Sequence, residues 1–306
     1  MAKFREYNPK ELELRDKHHL LLSSVAPRPI GFTTSISKDG HINLAPFSFH
    51  NAFSSNPPMV GISSAFSGRT GEAKNTLTNI LNTKEFTLSV VTFDIVEQMN
   101  LCAAEFGPDV DEFEKSGLTK HPSKIVSTPG VDESPLIMEC KFTQHVQFSD
   151  QPAGGNLLLG EIIYFHAKDE AFDESGKIDP SKVDQVARMG YDWYSRANQG
   201  LFELTAPRYI PIGVDNLPQL VRDHPSFTGK LLARLASVEK IPKQDIIDDL
   251  TETYSRLSAE DMLKICAVLV EEGKILEAWQ VLYLAEIIYC NPSCGSLLRN
   301  KSIILR

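Results

Sequence analysis

Residues 1 to about 210 form a succession of short β-prone runs, each closed by Gly, Pro, Ser or Asn, and this texture stops near residue 215. The candidate strands are PIGFTTSIS, MVGISSA, FTLSVVTF, IMECKFTQHVQF and LLLGEIIYFHAKD. In the first, Ile30, Phe32, Thr34 and Ile36 share one face by period two, and the small or hydroxylic Gly31, Thr33 and Ser35 share the other. Lys38-Asp39-Gly40 is a hairpin signal leading into HINLAPFSF. Short helices are expected to interrupt the strands at about 72–83 and 94–106. Many short strands, mostly joined by hairpins, predict a mainly β fold of the barrel or sandwich kind.

The rest of the chain has a helical period. Ser258 precedes Ala259-Glu260-Asp261 as an N-cap, and Met262, Ile265, Cys266, Leu269 and Val270 follow on one face. Gly273 is the expected C-cap, and a second helix is expected from about Ile275 to Tyr289, stopped by Asn291-Pro292. The expected division is a β-rich domain over 1–210 and a helical C-terminal extension over 211–306. Two hairpin helices are small for an independent core, so their apolar stripe is expected to dock on the β-rich domain or on a neighbouring subunit.

With Lys and Arg at 31 against 40 Asp and Glu, the net charge is −9, and such a surface repels nucleic-acid phosphates and anionic lipids. Neither a signal peptide nor a transmembrane run is legible, and the five cysteines are too scattered for a disulfide framework. A cytoplasmic protein with reduced thiols is the expectation.

Several chemistries lack their motif. There is no G-x-G-x-x-G, no Walker A sequence and no H-E-x-x-H. Gly61-Ile62-Ser63-Ser64-Ala65 approaches a nucleophile elbow but lacks its final Gly. Cys290 and Cys294 make half a zinc site, and His18-His19 reads as a surface or core pair.

Four segments place hydroxyls, amides and cations near strand ends: 26–34, 43–51, 62–64 and 69–76. The last opens a helix, where Thr76, free backbone N–H groups and the helix dipole make a phosphate seat, with Lys74 and Arg69 supplying charge. One such seat suits a single phosphate group.

Taken together, PRPIGFTTS, NLAPFSFHNAFSSNPPMVGIS and KNTLTNIL, followed by EFEKSGLT, ESPLIMECKF, LLLGEI and ARMGYDWYSR, resemble the flavin reductase-like family, in particular its longer, flavoredoxin-type members. The resemblance covers roughly residues 15–208. It implies an FMN-binding split β-barrel that dimerises around its flavin. It also implies that Thr33, Thr34 and Ser35 line the flavin, that Ser48, His50, Asn51 and Ala52 contact the ring or ribityl chain, and that Ser63 and Ser64 lie near the phosphate arm. Lys74 and Thr76, with Arg69 and Asn75 beside them, would grip the phosphate, and Arg188, Gly190 and Tyr194 would close the far side of the ring. Two positions depart from the pattern: Asn75 where Lys-Asp-Thr is common, and Asn156 where a His often precedes the LLLGEI strand. The activity implied is NAD(P)H:FMN oxidoreduction, with a partner monooxygenase or redox protein downstream. The alternative is a non-enzymatic, flavoredoxin-like electron carrier.

Overall fold

The computed structural model describes residues 3–204, 206–242, 253–254 and 257–290, with side chains described to residue 285. The chain divides into two compact units, Met1–Phe202 and Glu203–Arg306.

The first unit opens with helix α1 (Leu14–Ser24), which buries no residue, and the two-residue strand β1 (Arg28–Pro29). Strands β2 (Gly31–Ile36), β3 (Ile42–Phe47), β4 (His50–Ser55) and β5 (Pro58–Ser63) lead to helix α2 (Asn75–Thr83) and strand β6 (Glu85–Val90). Helices α3 (Val96–Leu101) and α4 (Glu112–Ser116) and the short strands β7 (Lys120–His121) and β8 (Gly130–Val131) precede the long strands β9 (Leu136–Gln147) and β10 (Asn156–Ala167). Helix α5 (Pro180–Val183) and strands β11 (Val186–Arg188) and β12 (Tyr194–Arg196) complete the unit.

Seven strands form one antiparallel sheet in the order β3-β2-β6-β9-β10-β5-β4, which is a mainly β fold with short helices. The predicted Lys38–Gly40 hairpin joins β2 to β3, with Gly40 at φ +88°, a conformation that suits a residue without Cβ. Register shifts in the β9–β10 pairing mark bulges, which bend and coil these long strands. A second ladder joins β1, β11 and β12.

Two apolar clusters fill the unit. Phe47, Val60, Ile62, Ile80, Phe86, Leu88 and Leu158 pack under α2, and Ile30, Phe32, Leu44, Ile95, Met99 and Phe113 pack under α3 and α4. Strand β2 runs between them and is buried on both faces, not on the one face that period two suggests. The expected helix at 72–83 begins only at Asn75, and the one at 94–106 is a 3-10 turn at Phe93–Ile95 followed by α3.

In the second unit, helices α6 (Gln219–Arg222), α7 (Gly229–Leu235), α8 (Ala259–Glu271) and α9 (Ile275–Cys290) build a core of their own. Ser258 caps α8 by accepting the Asp261 N–H at 3.1 Å, and Gly273 ends it at φ +79°. The stripe expected to dock elsewhere is covered inside this unit: Met262, Cys266, Leu269 and Val270 are buried, and Ile265 is partly so, beside Leu231, Leu235, Trp279 and Leu282. The expectation failed because it counted only the helical hairpin. Helix α7 and the segment from Leu217 to Phe227 add apolar side chains that the periodicity did not reveal, and Trp279 donates its indole N–H to the Leu235 carbonyl at 3.1 Å. Asn291, Pro292 and Cys294 lie outside the described residues, as does the side chain of Cys290.

Candidate functional site

Helix α2 starts with no side chain capping it. Lys74 occupies the N-cap position with extended backbone, and no hydroxyl or carboxylate accepts the first-turn N–H groups. Those donors and the positive end of the dipole are therefore free for an anion. Lys74 has no ion-pair partner among the described residues, whereas the exposed Arg69 is already paired with Glu105 at 3.1 Å. Thr76 is buried in the first turn, its hydroxyl accepting from Asn43 Nδ2 at 2.9 Å. Asn75 donates to the Phe106 carbonyl at 3.4 Å, which ties the start of α2 to the segment after α3.

Two cavities meet at Lys74. One, of about 450 Å³, is lined by Ser67, Arg69, Thr70, Lys74, Asn75 and Thr76 on the α2 side, and by Cys102–Phe106 and Glu112 opposite. The other, of about 320 Å³, has an apolar wall of Leu22, Ile30, Phe47, Phe49 and Met99, and a polar wall of His18, Arg28, Ser48, Ser63, Lys74, Asn100, Arg188 and Tyr194. Pro46, Phe47, Lys74 and Ala103 line both. The smaller cavity gathers four cationic or cationisable side chains and no carboxylate, in a chain of net charge −9.

The polar wall is held by a clasp. Arg28 is buried, and donates from Nη1 to the carbonyls of Leu22 and Val25 (2.7 Å to the latter), from Nη2 to the Met189 carbonyl at 2.9 Å, and from Nε to Ser48 Oγ at 3.4 Å. One side chain thus ties the C-terminal end of α1 to the turn after β11. Gly190 allows the close approach, since a Cβ there would sit 2.5 Å from Ser23 Oγ. Beyond the clasp, Arg188 lies 4.6 Å from the Tyr194 ring centroid, and the Tyr194 hydroxyl reaches Asn100 Oδ1 at 3.5 Å.

The site residues named from sequence separate into two sets. Ser48, Ser63, Arg69, Lys74, Asn75, Thr76, Arg188 and Tyr194 line one or both cavities. Thr33, Thr34, Ser35 and Ser64 line neither and are fully buried. Strand β2 is paired on both sides, with β3 and β6: Thr33 donates to its own strand at the Gly31 carbonyl, Ser35 accepts from Asn43 and Asn79, and Thr34 Oγ1 and Ser64 Oγ have no hydrogen-bond partner among the described residues. His50, Asn51 and Ala52 also stand outside the cavity linings. His50 meets the Gly61 carbonyl at 3.0 Å and burial lowers its pKa, while Asn51 and Ala52 are exposed on the edge strand β4. Gly190 acts through its close approach to α1.

Sequence reasoning missed Arg28, His18 and Asn100. Arg28 lay inside the quoted PRPIG run, where an arginine between two prolines was the available signal. Among the described residues there is no group of three or more metal-ligating side chains and no helix long and apolar enough to cross a membrane.

The family model for the flavin reductase like domain matches residues 23–186. An uncharacterized protein of Aquifex aeolicus is 37% identical over 193 residues, which is 63% of this chain and 95% of that protein. The crystal structure of nitrilotriacetate monooxygenase component B from Bacillus cereus is 30% identical with a TM-score of 0.63, covering 67% of this chain and 100% of that one. That of 2-nitrobenzoate 2-nitroreductase from Pseudomonas fluorescens is 29% identical with a TM-score of 0.59, covering 68% and 98%.

Proposed function

The chain belongs to the flavin reductase-like family of split β-barrels, and from that premise we propose that it binds FMN in the paired cavities and acts as an NAD(P)H-dependent flavin oxidoreductase. The observation that carries this reading is the junction at Lys74. An uncapped helix start with an unpaired cation adjoins a cavity with one apolar wall and one cationic wall. A phosphate fits the first by charge and by N–H donors, and a flat, partly polar ring fits the second. The donor set therefore suits FMN: Lys74 and the first turn of α2 would take the phosphate, and Ser48, Ser63, Arg188 and Tyr194 would border the ring.

When bound, FMN supplies the two-electron chemistry. The side chains bind, orient and exclude water. Phe47, Phe49 and Met99 provide apolar surface for stacking, and the cations favour negative charge in the cavity. A hydride donor needs no acid–base dyad, consistent with the lack of one along this wall. The Bacillus cereus relative is by its name a monooxygenase component, which supports a monooxygenase or another redox protein as the onward partner.

A homodimer belongs to this reading. Helix α1 buries nothing, Leu20 and Leu21 on it are exposed, and β4 leaves Phe53 exposed on the sheet edge. A second copy would cover such surfaces.

The electron-carrier alternative has one observation in its favour. Asn156, at the position where relatives often carry a His, is fully buried and accepts from His145 Nε2 at 2.9 Å, so it is not available to a nicotinamide. One experiment separates the two: the absorbance spectrum of the purified protein, followed by anaerobic NADH or NADPH. Rapid bleaching of the visible flavin band identifies a reductase, and bleaching only by a protein reductant identifies a carrier. Heat-released flavin should chromatograph as FMN, and FAD would refute the site.

A further inference from the structure

Arg28 is the least expected member of the cavity wall. A buried guanidinium is normally paired with a carboxylate, because removing its charge from water is costly. Here its assigned acceptors are three carbonyls and one hydroxyl, all neutral, and no carboxylate among the described residues pairs with it. Arg188 lines the same cavity and adds repulsion; burial first and Arg188 second hold the Arg28 pKa below its ordinary value. An arginine stays protonated even so. The neutral acceptors fix the side chain in place without cancelling its charge. A guanidinium has five N–H donors, and four are assigned, which leaves one on Nη2.

We propose that Arg28 is a redox-tuning residue, a fixed and uncompensated positive charge that makes the cavity hold reduced FMN more tightly than oxidised FMN. The proposal rests on the flavin reading of the cavity. Two-electron reduction by hydride adds one negative charge to the ring and leaves the donor nicotinamide oxidised, so electrons and charge balance within the pair of co-ligands. A cation anchored in the wall interacts with that added charge and only weakly with the neutral oxidised ring. Arg28 acts by field and position, and no proton leaves it.

The test is a comparison of two affinities. The dissociation constants of oxidised FMN and of dithionite-reduced FMN are measured anaerobically by fluorescence or calorimetry for wild type, Arg28→Gln and Arg28→Lys. In wild type, reduced FMN should bind at least about tenfold more tightly than oxidised, equivalent to a midpoint raised by about 30 mV for a two-electron couple. Arg28→Gln should cut that ratio by about tenfold, which is 1.4 kcal/mol. Arg28→Lys, which keeps the charge and loses the clasp, should hold the ratio within about threefold even where both affinities fall. A merely structural clasp would weaken both forms in parallel and leave the ratio unchanged in Arg28→Gln, and that result overturns the proposal. Should Arg28→Gln fail to fold, a wild-type ratio of one or less, or collapse of the ratio in Arg28→Lys, overturns it equally. Wild type that binds neither form sinks the flavin reading itself, a result distinct from an altered ratio.

Discussion

The Arg188 guanidinium stacks on the Tyr194 ring, 4.6 Å from its centroid, and donates to the Tyr194 hydroxyl. The two residues are register partners across β11 and β12, so strand pairing sets their contact. Hydrogen-bonded strands hold a wall more rigidly than a loop would. The stack places a cation and an aromatic edge side by side at the rim of the smaller cavity.

The Arg188–Tyr194 pair should contribute to folding as a unit. Half-buried cation–π pairs are worth about 0.5–1 kcal/mol, so a double-mutant cycle with Arg188→Ala and Tyr194→Ala should show a coupling of that size in urea unfolding. Strict additivity would show that the stack contributes nothing to holding β11 against β12.

Lys74→Ala should weaken FMN about ten- to a hundredfold, because a charge-assisted contact to phosphate is worth about 1.5–3 kcal/mol. Riboflavin, which lacks the phosphate, should bind wild type and variant alike. Equal FMN affinity in the two proteins, read by fluorescence titration, would move the phosphate away from α2.

Glu139 is fully buried, and accepts from the backbone N–H groups of Lys124 (2.6 Å), Ile125 (2.8 Å) and Val126 (3.0 Å) and pairs with His166 Nε2 at 2.6 Å. Burial pushes its pKa up, but the Lys124 N–H, His166 and the two further N–H groups outweigh it and hold the carboxyl below its ordinary value. The stability this contributes is fully present above the unfolded glutamate range and is lost as the pH falls through the lowered folded-state value. Glu139→Ala should cost roughly 3–5 kcal/mol at neutral pH, since it strands buried donors. Urea melts from pH 7 downward should show the gap between wild type and variant narrowing only in acid. A gap that is constant with pH would mean that the carboxylate charge is not what matters.

Light scattering on the FMN-loaded protein should give about twice the 34.1 kDa chain mass. A clean monomer at full flavin occupancy would leave α1 and β4 without the cover that their exposure calls for.

Every residue lining the two cavities belongs to the Met1–Phe202 unit, and the helical unit has a core of its own. A chain ending after Phe202 should therefore stay soluble and bind FMN within a few-fold of the full protein. Loss of flavin binding from a folded truncation would make the helical unit part of the site.

Much of the architecture was legible in order and pattern. The Lys38–Gly40 turn, the Ser258 cap and the Gly273 stop are local chemistry, because a positive φ or a side-chain acceptor is needed within a few residues. The family motifs are likewise linear, and they marked the barrel and the start of α2. Lys74 could be singled out because a cation at a helix start has a role that does not depend on distant neighbours.

Burial and convergence were not legible, because both depend on residues far apart in the chain. Thr33 and Ser35 look like ligand-facing hydroxyls on a half-buried strand, yet the pairing of β2 with β3 and β6 and the packing of α2 enclose both faces. His18, Arg28, Asn100 and Arg188 occupy one wall although some 170 residues separate the first from the last, because β1 pairs with β11 and brings the α1 end against the turn at Gly190. The sequence alone determined which local turns, caps and apolar periods this chain carries, since each is decided by neighbouring residues. Only the tertiary structure decided which hydroxyls are sealed and which cations share a cavity, since sheet register and long-range packing choose among faces that are equivalent in the linear pattern.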